Sequence, residues 1–173
     1  GLAADLVVAK LLRLGCTGAM AGIGGDIRVC GTPPEGSTWR AEVADAEGRR
    51  IAFRLLGDGA VATSSTALRR WRAPGGHGDL HHVIDPRSGL PAQHDLVLVS
   101  VSARRGWWAE VLATAALASG PERGVILLDE HGAEAVLADI AGRHRVVGRA
   151  FELLPAQAFD PGALDPAVFD EVL

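Results

Sequence analysis

The sequence predicts an α+β domain, with a mainly antiparallel sheet and packed helices, and three observations carry that prediction. Short β-rich runs recur between polar turn segments, the clearest being Leu96 to Ala103 (LVLVSVSA), whose residues alternate. Two stretches, Ala3 to Leu14 and Trp107 to Ser119, instead have the length and apolar spacing of helices. The strand-like runs come first as close neighbours, as in meanders, with helices inserted between later ones; a regular βαβ alternation would indicate a parallel sheet.

Ala3 to Leu14 sets Leu6, Val7, Leu11 and Leu14 at helical spacing and stops at Gly15, a good helix C-cap. Ala19 to Ile23 and Ile27 to Cys30 are short apolar runs interrupted by Gly24-Gly25-Asp26, where the glycine pair predicts a bulge or a close backbone approach. Trp39 to Ala44, Ile51 to Leu56 and Ala60 to Thr63 read as successive antiparallel strands. Asp45-Ala46-Glu47-Gly48 and Gly57-Asp58-Gly59 supply their turns. Leu80 to Ile84 is a further strand, ended by Asp85-Pro86. After the Trp107 helix comes Gly120-Pro121. Gly124 to Leu128 suits a buried strand or the middle of a helix, and with Pro121 at a first turn a helix from Pro121 to His131 is expected. Strands near Ala135 to Ala138 and Arg145 to Val147 complete residues 1–150, while 151–173, with Pro155, Pro161 and Pro166, reads as a peripheral C-terminal tail.

Composition bounds the function. At 173 residues the chain is long enough to bury one core, and 48% hydrophobic against 22% charged residues excludes a disordered segment. A net charge of −4, with arginine pairs only at 49–50, 69–70 and 104–105, reads as solvated faces and argues against a nucleic-acid partner. No run approaches the roughly 18 apolar residues that cross a bilayer as a helix. Two cysteines without companions at ligand spacing predict neither a zinc site nor a disulfide framework, and Cys30 is expected as a buried free thiol. Gly1-Leu2-Ala3-Ala4-Asp5 enters a helical pattern at once, as if in mid-domain.

The residues that suggest chemistry lie in His81-His82-Val83-Ile84-Asp85-Pro86-Arg87-Ser88-Gly89-Leu90-Pro91 and in Glu110 to Thr114. Neighbouring side chains of a strand face opposite ways, so His81 and His82 cannot serve one site; His82 shares a face with Leu80 and Ile84. The same residues also suit a plain hairpin, with Asp85 capping, Pro86 setting φ and Gly89 taking positive φ. His77 and His94 read as single loop histidines. Glu110 and Thr114, four apart, share a helix face, and a carboxylate with a hydroxyl suits Mg²⁺, which keeps waters and borrows phosphate oxygens. The alternative is a surface glutamate near a helix N-terminus. Thr63-Ser64-Ser65 offers hydroxyls and N–H groups where a strand ends, for a phosphate or a simple turn. Gly24-Gly25-Asp26 lacks the setting of a dinucleotide fingerprint, and Trp107 and Trp108 read as packing at a helix start.

Taken in order, these pieces resemble the ApbE-type FAD:protein FMN transferase family. They are Gly1-x-Ala3-Ala4-Asp5, Gly24-Gly25-Asp26-Ile27, a Trp39-led strand, Ala62-Thr63-Ser64-Ser65, His82-x-Ile84-Asp85-Pro86-x-Ser88-Gly89-x-Pro91, and the acid and threonine at 110 and 114. The likeness spans about Gly1 to Pro121 and implies an ApbE-like, T-fold-like architecture in which residues 1–150 form the C-terminal portion of a catalytic domain. It implies Mg²⁺-dependent transfer of the FMN half of FAD to a Thr or Ser hydroxyl of an acceptor flavoprotein, with release of AMP. On this resemblance His82 is the candidate base and Glu110 and Thr114 the candidate metal ligands. Ile84 touches FAD, Asp85 holds the turn, and Gly25, Asp26, Thr63 and Ser64 line the cleft. Two departures stand out. The family has Asp where this chain has Glu110, and in the family a segment before the position of Gly1 adds a metal ligand and flavin contacts. The runner-up reading is a flavin- or nucleotide-binding module without transferase activity; a third is a structural partner domain with an empty cleft.

Overall fold

A computed structural model describes residues 1–34, 38–45, 47–67, 69–73 and 79–154. Along the chain run α1 (Leu2–Arg13), β1 (Gly18–Ile23), β2 (Asp26–Gly31), β3 (Trp39–Ala44), β4 (Arg50–Leu56), β5 (Gly59–Ser65), β6 (Arg70–Arg72), β7 (Asp79–His81), β8 (Ile84–Asp85) and β9 (Leu90–Pro91). They are followed by β10 (Leu96–Ala103), α2 (Gly106–Ser119), α3 (Pro121–Glu130), β11 (Glu134–Asp139), β12 (His144–Val147) and β13 (Glu152–Leu153). The α+β expectation holds: every strand pairing among the described residues is antiparallel, and the helices pack on the sheet.

The central sheet has the order β1-β2-β5-β10-β11-β12, and a second sheet has the order β13-β4-β3. Period-two alternation divides their work. From β10 and β11, Val99, Val101, Ala135 and Leu137 turn to one face and pack with Leu112, Ala116 and Leu117 of α2 and Leu128 of α3. The intervening Leu98, Val136 and Ala138 turn to the other face and meet Ala41, Val43, Ile51, Ala52 and Leu56 of the second sheet. A third cluster seats Ala4 and Val8 of α1 on Ala19 and Ala21 of β1. The result is three layers, helices over a six-stranded sheet over a three-stranded one.

Several expectations are corrected. The glycine pair is neither bulge nor close approach: Gly24 (φ 62°) and Gly25 (φ 95°) are the two central residues of a tight hairpin turn joining β1 to β2. Two consecutive positive φ values are what the right-handed twist of a two-residue hairpin demands, and glycine meets them without steric cost. The second sheet takes only β3 and β4 of the predicted three-strand run; β5 leaves it to pair with β2 and β10. Thr63 to Ser65 are the last three residues of β5, which runs two residues past the predicted Thr63. The predicted strand from Leu80 to Ile84 is broken at His82 and Val83 into β7 and β8. Cys30 is a free thiol only half buried. Phe151, at the start of the expected tail, is 5% exposed in the second core, and Glu152–Leu153 pairs with β4. Residues 155–173 and His77 lie outside the described residues.

The β8–β9 hairpin is locked by Asp85. Its carboxylate accepts the Arg87 backbone N–H (3.0 Å) and the Arg87 guanidinium (3.1 and 3.2 Å), while Gly89 N–H donates to the Asp85 carbonyl (2.8 Å). Hydrogen bonds from the Arg87 side chain, then from its backbone, hold the Asp85 carboxyl below the ordinary aspartate value. A depressed carboxyl contributes stability above its unfolded pKa of ~3.9 and loses it as pH falls through the lower folded value. An NMR titration should therefore place the Asp85 midpoint below that of free aspartate and return it upward in Arg87→Ala. An ordinary midpoint in the native protein would contradict the lock.

Candidate functional site

A cleft of about 470 Å³ opens where β5 outruns β2. The β2–β5 ladder reaches only Ile27 opposite Val61, whereas β5 continues to Ser65 against β10. From Ala62 to Ser65, one edge of β5 thus has no strand partner among the described residues, and the chain around it closes a pocket instead of a sheet.

Eight of the nine residues singled out in the sequence line this cleft: Gly25, Asp26, Thr63, Ser64, His82, Ile84, Glu110 and Thr114. Gly24 and Gly25 come from the β1–β2 turn, and Asp26 opens β2. His82 is exposed at the break between β7 and β8, and its imidazole has no partner among the described residues. Its neighbour is occupied: His81, 8% exposed, donates Nε2–H to the carbonyl of Ala92 at 3.0 Å. One histidine is thus structural and the other unpartnered among the described residues, separated by the end of β7 and not by alternation within one strand. Asp85 is the exception to the cleft set; it stands on a neighbouring pocket with Arg87, His94 and Arg123. Both ring nitrogens of His94 are buried without hydrogen-bond partners among the described residues.

Glu110 and Thr114 project from α2 on successive turns. Thr114 Oγ1 lies 2.8 Å from Ser64 Oγ, tying the helix to β5, while Thr63 Oγ1 turns the other way to Ser100 Oγ at 2.6 Å. Asp26 Oδ2 and Glu110 Oε2 meet at one nitrogen, that of Gly1, at 2.5 and 2.8 Å. The two carboxylates thus stand within reach of each other in the cleft lining and set a negative potential there. No group of three or more His, Cys, Asp or Glu side chains at metal-binding distances occurs among the described residues. The donor set is two carboxylates with hydroxyls nearby. That fits a hard cation completed by water and phosphate oxygens, as Mg²⁺ is, and not a closed zinc-type cage.

The cleft also holds residues that the sequence pattern did not mark. Arg69, one of the arginines expected on a solvated face, lines it and is the one Lys or Arg in the described lining. It has no carboxylate partner among the described residues, whereas Asp45, also in the lining, is tied to Arg49 at 2.7 Å. Nothing in the sequence separates Arg69 from the other arginine pairs; only the path of the chain after β5 brings it here.

Comparison with known proteins agrees with this geometry. The family model described as "ApbE family" matches residues 1–137. The FAD:protein FMN transferase of Haemophilus influenzae is 28% identical over 133 residues, and that of Vibrio cholerae 30% over 132 residues. These alignments cover 76% and 75% of this chain but 38% and 39% of the relatives, so the chain spans about two fifths of their length. Among solved structures, the apo form of the flavinyl transferase ApbE of Pseudomonas stutzeri superposes with a TM-score of 0.68 at 28% identity, covering 87% of this chain and 46% of that one. The flavin transferase ApbE of Vibrio cholerae gives 0.69 at 26%, covering 84% and 47%. With the family model matching well over half its length, and the same fold in the solved relatives, the chain belongs to the ApbE family.

Proposed function

We propose that this chain forms the base-bearing and cation-binding part of an FAD:protein FMN transferase, which moves the FMN half of FAD to a Thr or Ser hydroxyl of an acceptor flavoprotein and releases AMP. The observation that carries this reading is the convergence of an unpartnered imidazole, two carboxylates and a guanidinium on one cleft. It is supported by family membership and by relatives named for that activity.

In this reading His82 accepts the proton of the attacking hydroxyl. The new oxygen–phosphorus bond forms at the FMN phosphate as the bond to the AMP phosphate breaks, and AMP leaves with the bridging oxygen. Asp26, Glu110 and Thr114 are the residues that would hold Mg²⁺, which when bound neutralises charge on the diphosphate. Ser64, hydrogen-bonded to Thr114, orients that hydroxyl so that a lone pair remains free for a cation. Arg69 binds the diphosphate electrostatically, its planar fork suited to phosphate oxygens. Ile84, exposed beside His82, supplies apolar contact to the bound nucleotide, and Asp85 keeps it in place through the hairpin lock. One feature favours a binding module without transfer: Glu110 is one methylene longer than the family's aspartate, a shift of about one C–C bond in a metal shell that tolerates little at ~2.1 Å.

Titrating FAD into the natural full-length protein with and without Mg²⁺ tests the reading. Magnesium-dependent binding with AMP release supports it, magnesium-independent binding without AMP supports the binding module, and no binding rejects both. His82→Ala should lower flavin transfer by about 10²-fold or more, the scale of general-base catalysis, with FAD affinity retained; equal losses in both would reject the base. Glu110→Gln should raise the Mg²⁺ concentration needed for half-maximal transfer, and an unchanged requirement would remove this carboxylate from the metal site. Arg69→Met should weaken FAD binding several-fold and flatten its salt dependence; wild-type affinity and salt response would exclude the diphosphate contact.

A further inference from the structure

Helix α2, which carries Glu110 and Thr114, has no cap of its own. Arg105 stands at its N-cap without a side-chain hydrogen bond, and its first turn holds no acidic residue. The cap comes from another helix. Asp5 of α1 accepts the Gly106 N–H on Oδ1 at 2.9 Å and the Trp107 N–H on Oδ2 at 3.0 Å. One carboxylate satisfies two of the orphan donors of a helix start and sets negative charge against its positive end.

Asp5 is itself fixed from behind. Its Oδ1 lies 3.1 Å from Arg28 Nε, with the two side chains 9% and 5% exposed. Arg28 Nε has no well-aligned hydrogen-bond acceptor, so this contact is an ion pair held by charge. The other arms of Arg28 reach Asp58 Oδ1 at 2.7 Å and the Gly59 carbonyl at 2.9 Å, at the start of β5. Arg28 lies two residues beyond Asp26 on β2, on the same face of the strand. At the same junction the two helix starts touch backbone to backbone: a Cβ on Gly106 would lie 2.8 Å from the Gly1 carbonyl oxygen. An unbroken set of contacts therefore links β5, β2, α1 and the first turn of α2, and Glu110 stands one turn further along that helix.

We propose that Asp5 is a positioning residue: braced by Arg28, its carboxylate sets the height and rotation of α2 and with them the placement of Glu110 and Thr114 in the cleft. This rests on the reading that Glu110 helps to hold the divalent cation. Asp5 does not line the cleft, so it acts through the helix and not on the substrate.

The test uses the natural full-length protein and two readouts besides turnover: Mn²⁺ binding followed by electron paramagnetic resonance, and hydrogen exchange at the Gly106 and Trp107 amides. Asp5→Ala should weaken Mn²⁺ binding about tenfold and speed exchange at those two amides. Asp5→Asn, which keeps one acceptor, should fall between it and the native protein, and carries the same comparison should the alanine variant not fold. Val147→Ala, a core change in β12 at the far edge of the sheet, serves as control and should lower the melting temperature without altering Mn²⁺ affinity. Native Mn²⁺ affinity in the Asp5 variants, or an equal loss in Val147→Ala, would overturn the positioning role. Glu110→Gln separates the two readings. If it leaves Mn²⁺ binding unchanged, the metal assignment fails and the inference falls with it. If it weakens binding while Asp5→Ala does not, only the inference fails.

Discussion

A single buried guanidinium holds the frame on which the rest of this structure depends. Arg28 is 4% exposed, and its partners are Asp5 on α1, Asp58 before β5, and the carbonyls of Gly59 and Val29. Taking an arginine out of water costs several kcal/mol, which only close opposite charge and hydrogen bonds offset. Asp5 in turn is stabilised by two helix N–H groups as well as by Arg28, so the two buried charges each have more than one partner. Removal of Arg28 would leave the Asp5 carboxylate without its cation in a buried junction. Such a cluster behaves as a unit, which suits a place where four elements must agree to within a fraction of an ångström.

The cleft follows from a mismatch that this frame preserves. Strand β2 turns back at the glycine pair while β5 runs on to Ser65, so the sheet ends early on one side and a pocket replaces the missing strand. The two ends of the chemistry then arrive from different segments. Asp26 and Glu110 come from β2 and α2 and bring negative charge to the cleft. Arg69 and His82 come from the loops after β5 and β7 and bring a guanidinium and an imidazole. A diphosphate bound with a cation needs both kinds of partner in one enclosure, because either alone leaves charge unbalanced in a space of lowered dielectric.

How far the site could be read from residues alone differs from group to group. Sequence reasoning put His81 and His82 on opposite faces of one strand; the structure separates them instead by ending β7 at His81, which bonds to Ala92, and leaves His82 without a partner among the described residues. Glu110 and Thr114 were pairable because i and i+4 share a helix face. Asp85, expected to hold the turn, stands on a pocket beside the cleft with its carboxylate bonded to Arg87. Arg69 was invisible, since an exposed arginine in a cleft and one on an open surface have the same sequence signature. Asp5 was part of the quoted motif, but its helix gives no hint that its carboxylate serves a different helix 101 positions away.

The sequence by itself determined the local periods. Helix ends at Gly15 and Gly120, strand faces in β10 and β11, and the helical nature of Pro121–Glu130 follow from residue spacing and turn chemistry, which act over a few residues. It did not determine which strands pair. The run from Trp39 to Thr63 reads as one meander, yet β5 leaves β4 for β2 and β10, because pairing is decided by which face each strand can bury and not by proximity along the chain. Nor could it show that Asp26 and Glu110 line one cleft. That convergence exists only once Arg28 and Asp5 have locked α1, β2 and α2 together, and long-range electrostatics of that kind leave no periodic trace in a sequence.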